Sequence, residues 1–174
     1  MSRNEILVII AGLIAIASLG GGAIVSTIRR WPGKAPVKYA GYIKAAEIRE
    51  GLPHNLLARL LWQESRYRED IISGAVKSAA GAVGIAQIVP RWHPDVDPLN
   101  PWASIDYAAK FLRQLRAQFG TWELALAAYN WGPGNLTKGL NTYGGVVLTQ
   151  PTTPKETRDY VSQIWSDVGA ASNA

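Results

Sequence analysis

The chain has 174 residues, enough for one domain and an appendage, and a hydrophobic fraction of 48% supplies a packed core. It contains no cysteine, which excludes disulfides, thiolate metal sites and cysteine nucleophiles. The net charge is +5, but part of it sits at Arg3, Arg29 and Arg30 and no dense Lys/Arg run occurs, so nucleic acid is not an expected partner.

Ile6 to Ile28 is a charge-free apolar run, long enough to cross a bilayer. It reads as an uncleaved transmembrane helix. A signal peptide fits less well, because Arg3 and Glu5 leave the preceding segment hardly positive and no A-x-A site follows. A buried core helix is the third reading. Residues 1–30 are therefore taken as an anchor with short flanks, and 31–39, with its WPGKAP stretch, as a turn-rich linker.

From Val37 to Glu50 the pattern predicts a helix, stopped by Gly51. Pro53 suits a first helical position, with the helix continuing over Asn55 to Arg66. Ile71 to Ala82 predicts a loop or small hairpin, and Gly84 to Val89 a short helical turn halted by Pro90. Arg91 to Pro101 is a proline-rich loop in which Asp95 and Asp97 form turns. Ser104 is a plausible N-cap for a helix to Gln118, with Tyr107, Phe111, Leu112 and Leu115 at helical spacing. Thr121 caps a further helix to about Tyr129, broken by Trp131-Gly132-Pro133-Gly134. Tyr143 to Thr152 predicts a long loop. Thr153 to Glu156 reads as a capping box opening a last helix to about Val168, and 169–174 as a flexible tail.

One residue breaks the binary pattern. Leu56, Leu57, Leu60 and Leu61 place Glu64 on the apolar face of its helix, where burial disfavours the charged form. Such a carboxylate is either paired with a buried base, here Arg59, Arg66 or Arg68, or kept protonated for chemistry. It ends its helix, where a cleft can open, and the small residues of Ser78 to Gln87 allow a ligand close to the backbone. Glu69 and Asp70 could supply a second carboxylate but read as a solvated loop start. His54 and His93 are too few for a zinc site without carboxylates, so no metal or cofactor is expected. Of the tryptophans, Trp131 is the one placed at a cleft.

Trp62-Gln63-Glu64-Ser65, then Gly81 to Pro90 (GAVGIAQIVP), then Ala127-Ala128-Tyr129-Asn130 resemble the three ordered motifs of the soluble lytic transglycosylase (SLT) domains. The likeness continues through Trp131 to Gly134 and through Pro154 to Val161 (PKETRDYV), covering about Ala40 to Ile164. It differs from the common pattern in a longer stretch between Glu64 and Ser78, in Ala86 for methionine and in Trp131 for alanine.

The resemblance implies a mainly α, goose-type lysozyme-like domain, here residues 40–168, with a small loop or hairpin region behind the N-terminal transmembrane helix. It implies Glu64 as the acid and base, Ser78 and Gln87 as cleft residues, Tyr129 with its hydroxyl near the carboxyl, Asn130 supporting the site and Tyr160 beside the cleft. The expected substrate is the peptidoglycan glycan strand, cut without water to a 1,6-anhydro sugar. A hydrolase of goose-lysozyme type is one alternative, and a non-catalytic glycan-binding protein of a virion or secretion channel another. Arg29, Arg30, Lys34 and Lys38 would hold the domain in the cytoplasm by the positive-inside rule, which conflicts with a wall substrate in the periplasm. Delivery from outside as a phage virion protein resolves the conflict, with a bacterial inner-membrane enzyme as the alternative.

Overall fold

A computed structural model describes residues 31–172, with side chains through 169. The apolar run at 6–28 read as a membrane span lies outside the described residues. Among those residues no helix is long and apolar enough to cross a membrane.

The described chain is helical: α1 (Val37–Glu50), α2 (Leu56–Ser65), α3 (Glu69–Ile72), α4 (Pro101–Phe119), α5 (Trp122–Trp131), α6 (Pro133–Tyr143), a 3-10 helix at Gly144–Thr149 and α7 (Lys155–Ser172). β-structure among the described residues amounts to an isolated antiparallel bridge between Val83 and Ile88. The stretch expected as a helical turn at 84–89 is thus a tight reversal closed by two backbone bonds, Val83 N–H to Ile88 at 3.1 Å and Ile88 N–H to Val83 at 3.0 Å. The expected loop or hairpin at 71–82 begins with the end of α3 instead.

α5 is the centre. Ala125 to Asn130 are all buried, and α4, α6 and α7 pack around it. Small side chains on α5 let its neighbours approach closely, and α1 and α2 complete the shell against α4 and α7. Leu56, Leu57, Leu60 and Leu61 of α2 have no exposed surface, each contributing about 1.5–3 kcal/mol by burial.

Helix boundaries show which local signals prevail. α1 ends at Gly51, whose φ of 65° lets its N–H turn back to the carbonyls of Glu47 and Ile48. The start of α2 is different from the expectation. Pro53 lies before the N-cap, Asn55, and the cap comes from a distant side chain: buried Glu47 accepts from Asn55 N–H at 3.1 Å, Leu57 N–H at 2.9 Å and Ala58 N–H at 3.2 Å. α4 starts earlier than Ser104. Asn100 accepts from the N–H groups of Trp102 and Ala103, and Pro101 takes the first helical position. Ser104 instead donates to the Pro98 carbonyl at 3.1 Å.

Thr121 caps α5 as expected, accepting from Leu124 N–H at 3.1 Å. The capping box at Thr153 does not close, because its hydroxyl donates to the Val147 carbonyl at 2.6 Å. α7 also continues past Gly169 to Ser172, where a tail was expected.

Candidate active site

Glu64 occupies the last turn of α2 and is 4% exposed. The chain reverses sharply behind it, with Arg66 and Tyr67 both left-handed at φ 53° and 52°. Two such residues in a row cost roughly 1–2 kcal/mol each. Three hydrogen bonds offset that strain. Ser65 Oγ donates to Leu61 O at 3.0 Å and accepts from Tyr67 N–H at 3.2 Å, while the Tyr67 hydroxyl donates to Ala58 O at 2.8 Å. The acid thus stands on a braced helix end rather than on a loose loop.

The partner of the carboxyl comes from the far end of the chain. The Tyr160 hydroxyl on α7 donates to Glu64 Oε1 at 2.5 Å, and Tyr160 is itself buried. The arginines weighed as ion-pair partners point elsewhere. Arg59 donates to Asp167 at 2.7 Å and to Gln63 at 2.8 Å, Arg68 bonds Asp70, and Arg66 lies 3.6 Å over the Trp62 ring. Burial pushes the Glu64 pKa up to about 8; the Tyr160 bond opposes this, and the charge of Glu156 adds to it. The C-terminal end of α2 carries the negative pole of the helix dipole, which also favours the protonated form. At neutral pH Glu64 is mostly a carboxylic acid.

Glu64, Gln87 and Tyr129 come together on a cavity of about 280 Å³. Gln87 is held at φ 47° and fixed by its side-chain amide donating to Gly84 O at 3.0 Å. The Tyr129 hydroxyl donates to Ala86 O at 3.0 Å, so it braces the 83–88 reversal. Burial and then the Glu64 charge raise its pKa, so it stays a neutral phenol. Asn130 is buried behind the cavity, accepting from the Thr157 hydroxyl at 2.7 Å and tying α5 to α7. Ser78 closes a turn: its Oγ accepts from Ala82 N–H at 2.9 Å, and it does not line the cavity.

Sequence reasoning missed the opposite wall. Trp92 and His93 from the proline-rich loop, and Tyr107 and Phe111 from α4, line the cavity. His93 Nδ1 and the Tyr107 hydroxyl are 2.5 Å apart, and burial lowers the His93 pKa, favouring neutral imidazole. The spacing of Tyr107 and Phe111 announced a buried face, but not that a loop would fold back over it. What seats the loop is Gly84, where a Cβ would lie 1.9 Å from the Pro98 carbonyl oxygen. Trp131, expected at the cleft, packs its ring against Gly139 of α6, and Gly132 and Pro133 line the cavity instead. Glu156 was also missed. It was read as half of a capping box, yet its Oε1 is buried without a partner and its charge reaches Glu64.

Glu69 and Asp70, the candidate second carboxylates, pair with Lys38 at 3.7 Å and Arg68 at 2.5 Å, away from the cavity. Among the described residues no three His, Asp or Glu side chains converge as a metal site would require.

Comparison with known proteins bears on this arrangement. The profile of the transglycosylase SLT domain matches residues 41–146. The chain is 32% identical over 118 residues to the peptidoglycan transglycosylase gp16 of Escherichia phage T7, over 62% of this chain and 9% of that protein. Its fold is similar to that of an inactive mutant of the lytic transglycosylase Slt from Pseudomonas aeruginosa, with a TM-score of 0.60 and 25% identity over 77% of this chain and 24% of that one. The chain therefore spans a small part of the length of either relative. With more than half its residues under the family profile, and a lysozyme-like helical fold in common with a solved member, this chain belongs to the transglycosylase SLT domain family.

Proposed function

We propose that this chain is a peptidoglycan lytic transglycosylase that cleaves the β-1,4 bond between MurNAc and GlcNAc, with Glu64 as general acid and then general base. The observation that carries the reading is a buried carboxyl, held by Tyr160 and protonated at neutral pH, on a cavity lined by no second carboxylate among the described residues. Glycosidases of the two-carboxylate type need a second acid as nucleophile or base.

The steps follow from one ionisable group. Glu64 gives its proton to the glycosidic oxygen as the bond to C1 breaks. The substrate's own acetamido oxygen bonds to C1 and carries the positive charge. Ionised Glu64 is steadied by the Tyr160 hydrogen bond, which favours the charged form. It then takes the proton of the C6 hydroxyl as O6 bonds to C1 and the acetamido oxygen leaves. The proton count returns to its start, no water is consumed, and the product is a 1,6-anhydro-MurNAc end. A largely apolar lining disfavours water, and an attacking hydroxyl on the same ring has the advantage of proximity. Gln87 and Tyr129 orient the sugar at the acid, and Asn130 and Tyr160 hold the helices that carry it; Ser78 shapes the turn leading into the second motif.

Mass analysis of sacculi digested by the purified protein tests this. Anhydro-MurNAc ends are expected; reducing ends alone would favour the goose-lysozyme-like hydrolase, and an intact, bound glycan the non-catalytic reading.

For the setting, the apolar run at 6–28 supports a membrane anchor, with 31–39 as linker and 40–168 as the lytic domain. The likeness to a phage transglycosylase supports local opening of the wall during phage entry. Partition of the full chain into membranes, and its detection in virions, test the two parts separately.

A further inference from the structure

The cavity at Glu64 is small for a polymer. At about 280 Å³ it falls just below the usual range for ligand pockets, roughly 300–1,000 Å³. It accommodates the reacting ring, so whatever that ring carries must leave over the rim. The rim on the loop side is an aromatic with a cation on it. Trp92 lines the cavity yet is 44% exposed, and the Arg91 guanidinium lies 4.5 Å from its ring centre. Among the described residues no carboxylate pairs with Arg91. The pair is not a floppy end: Trp92 N–H donates to Val89 O at 3.0 Å and His93 N–H to Pro90 O at 3.2 Å, while Pro98 is seated against Gly84.

A partly exposed tryptophan offers apolar ring surface to a sugar, and a guanidinium stacked at its ring offers a fork to a carboxylate. The muramyl residue differs from its GlcNAc neighbour by a lactyl arm on O3. That arm carries acid in one of two forms, the carboxylates of an attached stem peptide or, once the peptide is removed, the carboxylate of the lactyl group itself.

We propose that Arg91 and Trp92 form a rim subsite for a carboxylate borne on the lactyl arm of the muramyl residue whose ring sits at Glu64. The subsite rests on the glycan reading above. It gives the site a means to tell a muramyl ring from a GlcNAc ring by charge.

The test is calorimetric binding by the full chain carrying Glu64→Gln, so that turnover does not interfere. The probes are chitotetraose, a GlcNAc-MurNAc tetrasaccharide with stem peptides, and the same tetrasaccharide after amidase treatment. Binding of a muramyl probe about fivefold tighter than chitotetraose is expected, the upper end for an exposed ion pair. Arg91→Ala brings that ratio near one, Arg91→Lys keeps part of it, and Trp92→Ala weakens all three probes. Tighter binding of the peptide-bearing probe assigns the carboxylate to the stem peptide; tighter binding of the stripped probe assigns it to the lactyl group. Equal binding of all three probes, or a ratio unchanged by Arg91→Ala, overturns the subsite. A chain that binds as expected but releases no anhydro ends before Glu64 is replaced overturns the transglycosylase reading and leaves the subsite standing.

Discussion

Helix α2 has a buried glutamate at each end, and the two are equally hidden, 4% exposed in both cases. Glu47 reaches from α1 to the N-terminal end and accepts three backbone N–H groups there. Glu64 sits in the C-terminal turn and receives one hydroxyl. Burial raises both pKa values, but the backbone donors pull Glu47 back, whereas Glu64 is left at about 8. The same residue type, equally hidden from solvent, is thus a helix cap in one place and a stored proton in the other. Donor number and the sign of the helix end separate them, and the deeper surroundings of Glu64 add to the difference.

The sharpest way to break that comparison is to remove each carboxylate's charge. Glu64→Gln should lower the release of anhydro ends by about 10³-fold or more, within the range for loss of a general acid. It should also stabilise the fold with a definite pH dependence. Native Glu64 binds its proton more tightly than the unfolded chain does, so stability falls as pH rises from about 4.5 to about 8 and is flat above. Urea melts of parent and variant should therefore agree near pH 4 and diverge by on the order of 5 kcal/mol above pH 8. A constant difference across that range would mean that the carboxyl is not held protonated.

Glu47→Ala should do the opposite. It leaves two buried donors and a partly buried one at the start of α2 unpaired and should cost about 3 kcal/mol in urea melts at pH 7. The pH profile of whatever activity survives should keep its shape. A shifted profile would show that the cap also tunes the acid.

Tyr160→Phe probes the one donor that Glu64 has among the described residues. Without that bond the pKa rises further, so the alkaline limb of the pH–rate profile should move to higher pH, while the rate at its plateau falls by about tenfold. A limb that moved down would mean that the hydroxyl stabilises the protonated form instead.

The smallest effect calibrates the cap itself. Asn100→Ala removes an ordinary short-side-chain cap from α4 and should cost about 1 kcal/mol in thermal or urea melts. If it cost as much as Glu47→Ala, the reach of the longer, charged cap would have no special worth.

How far the chain announced this pair can be read from particular residues. α1 was predicted to the residue, because Gly51 is an unambiguous stop, and α5 nearly so. Glu64 stood out because four leucines surround it at helical spacing. Glu47 stands on an equally clear stripe with Tyr39, Ile43 and Ala46, but a glutamate near a helix end reads as solvated until the segment it caps is known to lie beside it. α6 was missed because Gly134, Gly139, Asn135 and Asn141 have poor helix propensity. Its support is tertiary, with Gly139 lying against Val147 and Trp131. Thr153 and Ser104 looked like caps and were claimed by carbonyls across the fold. Trp131 was expected at the cleft because it follows Tyr129 and Asn130, and the proline-rich loop, seated on Gly84, brings Trp92 there instead.

The contact between α2 and α7 has a consequence in time. Glu64 meets its hydroxyl across 96 residues of sequence, and Arg59 meets Asp167 across 108. A chain emerging from the ribosome buries its early helices first, and distant pairings wait until both partners exist. While α7 is still in the exit tunnel, the acid lacks its donor and the wall that hides it from water. The acid thus gains its donor only once α7 has been made and packs against α2 and α5.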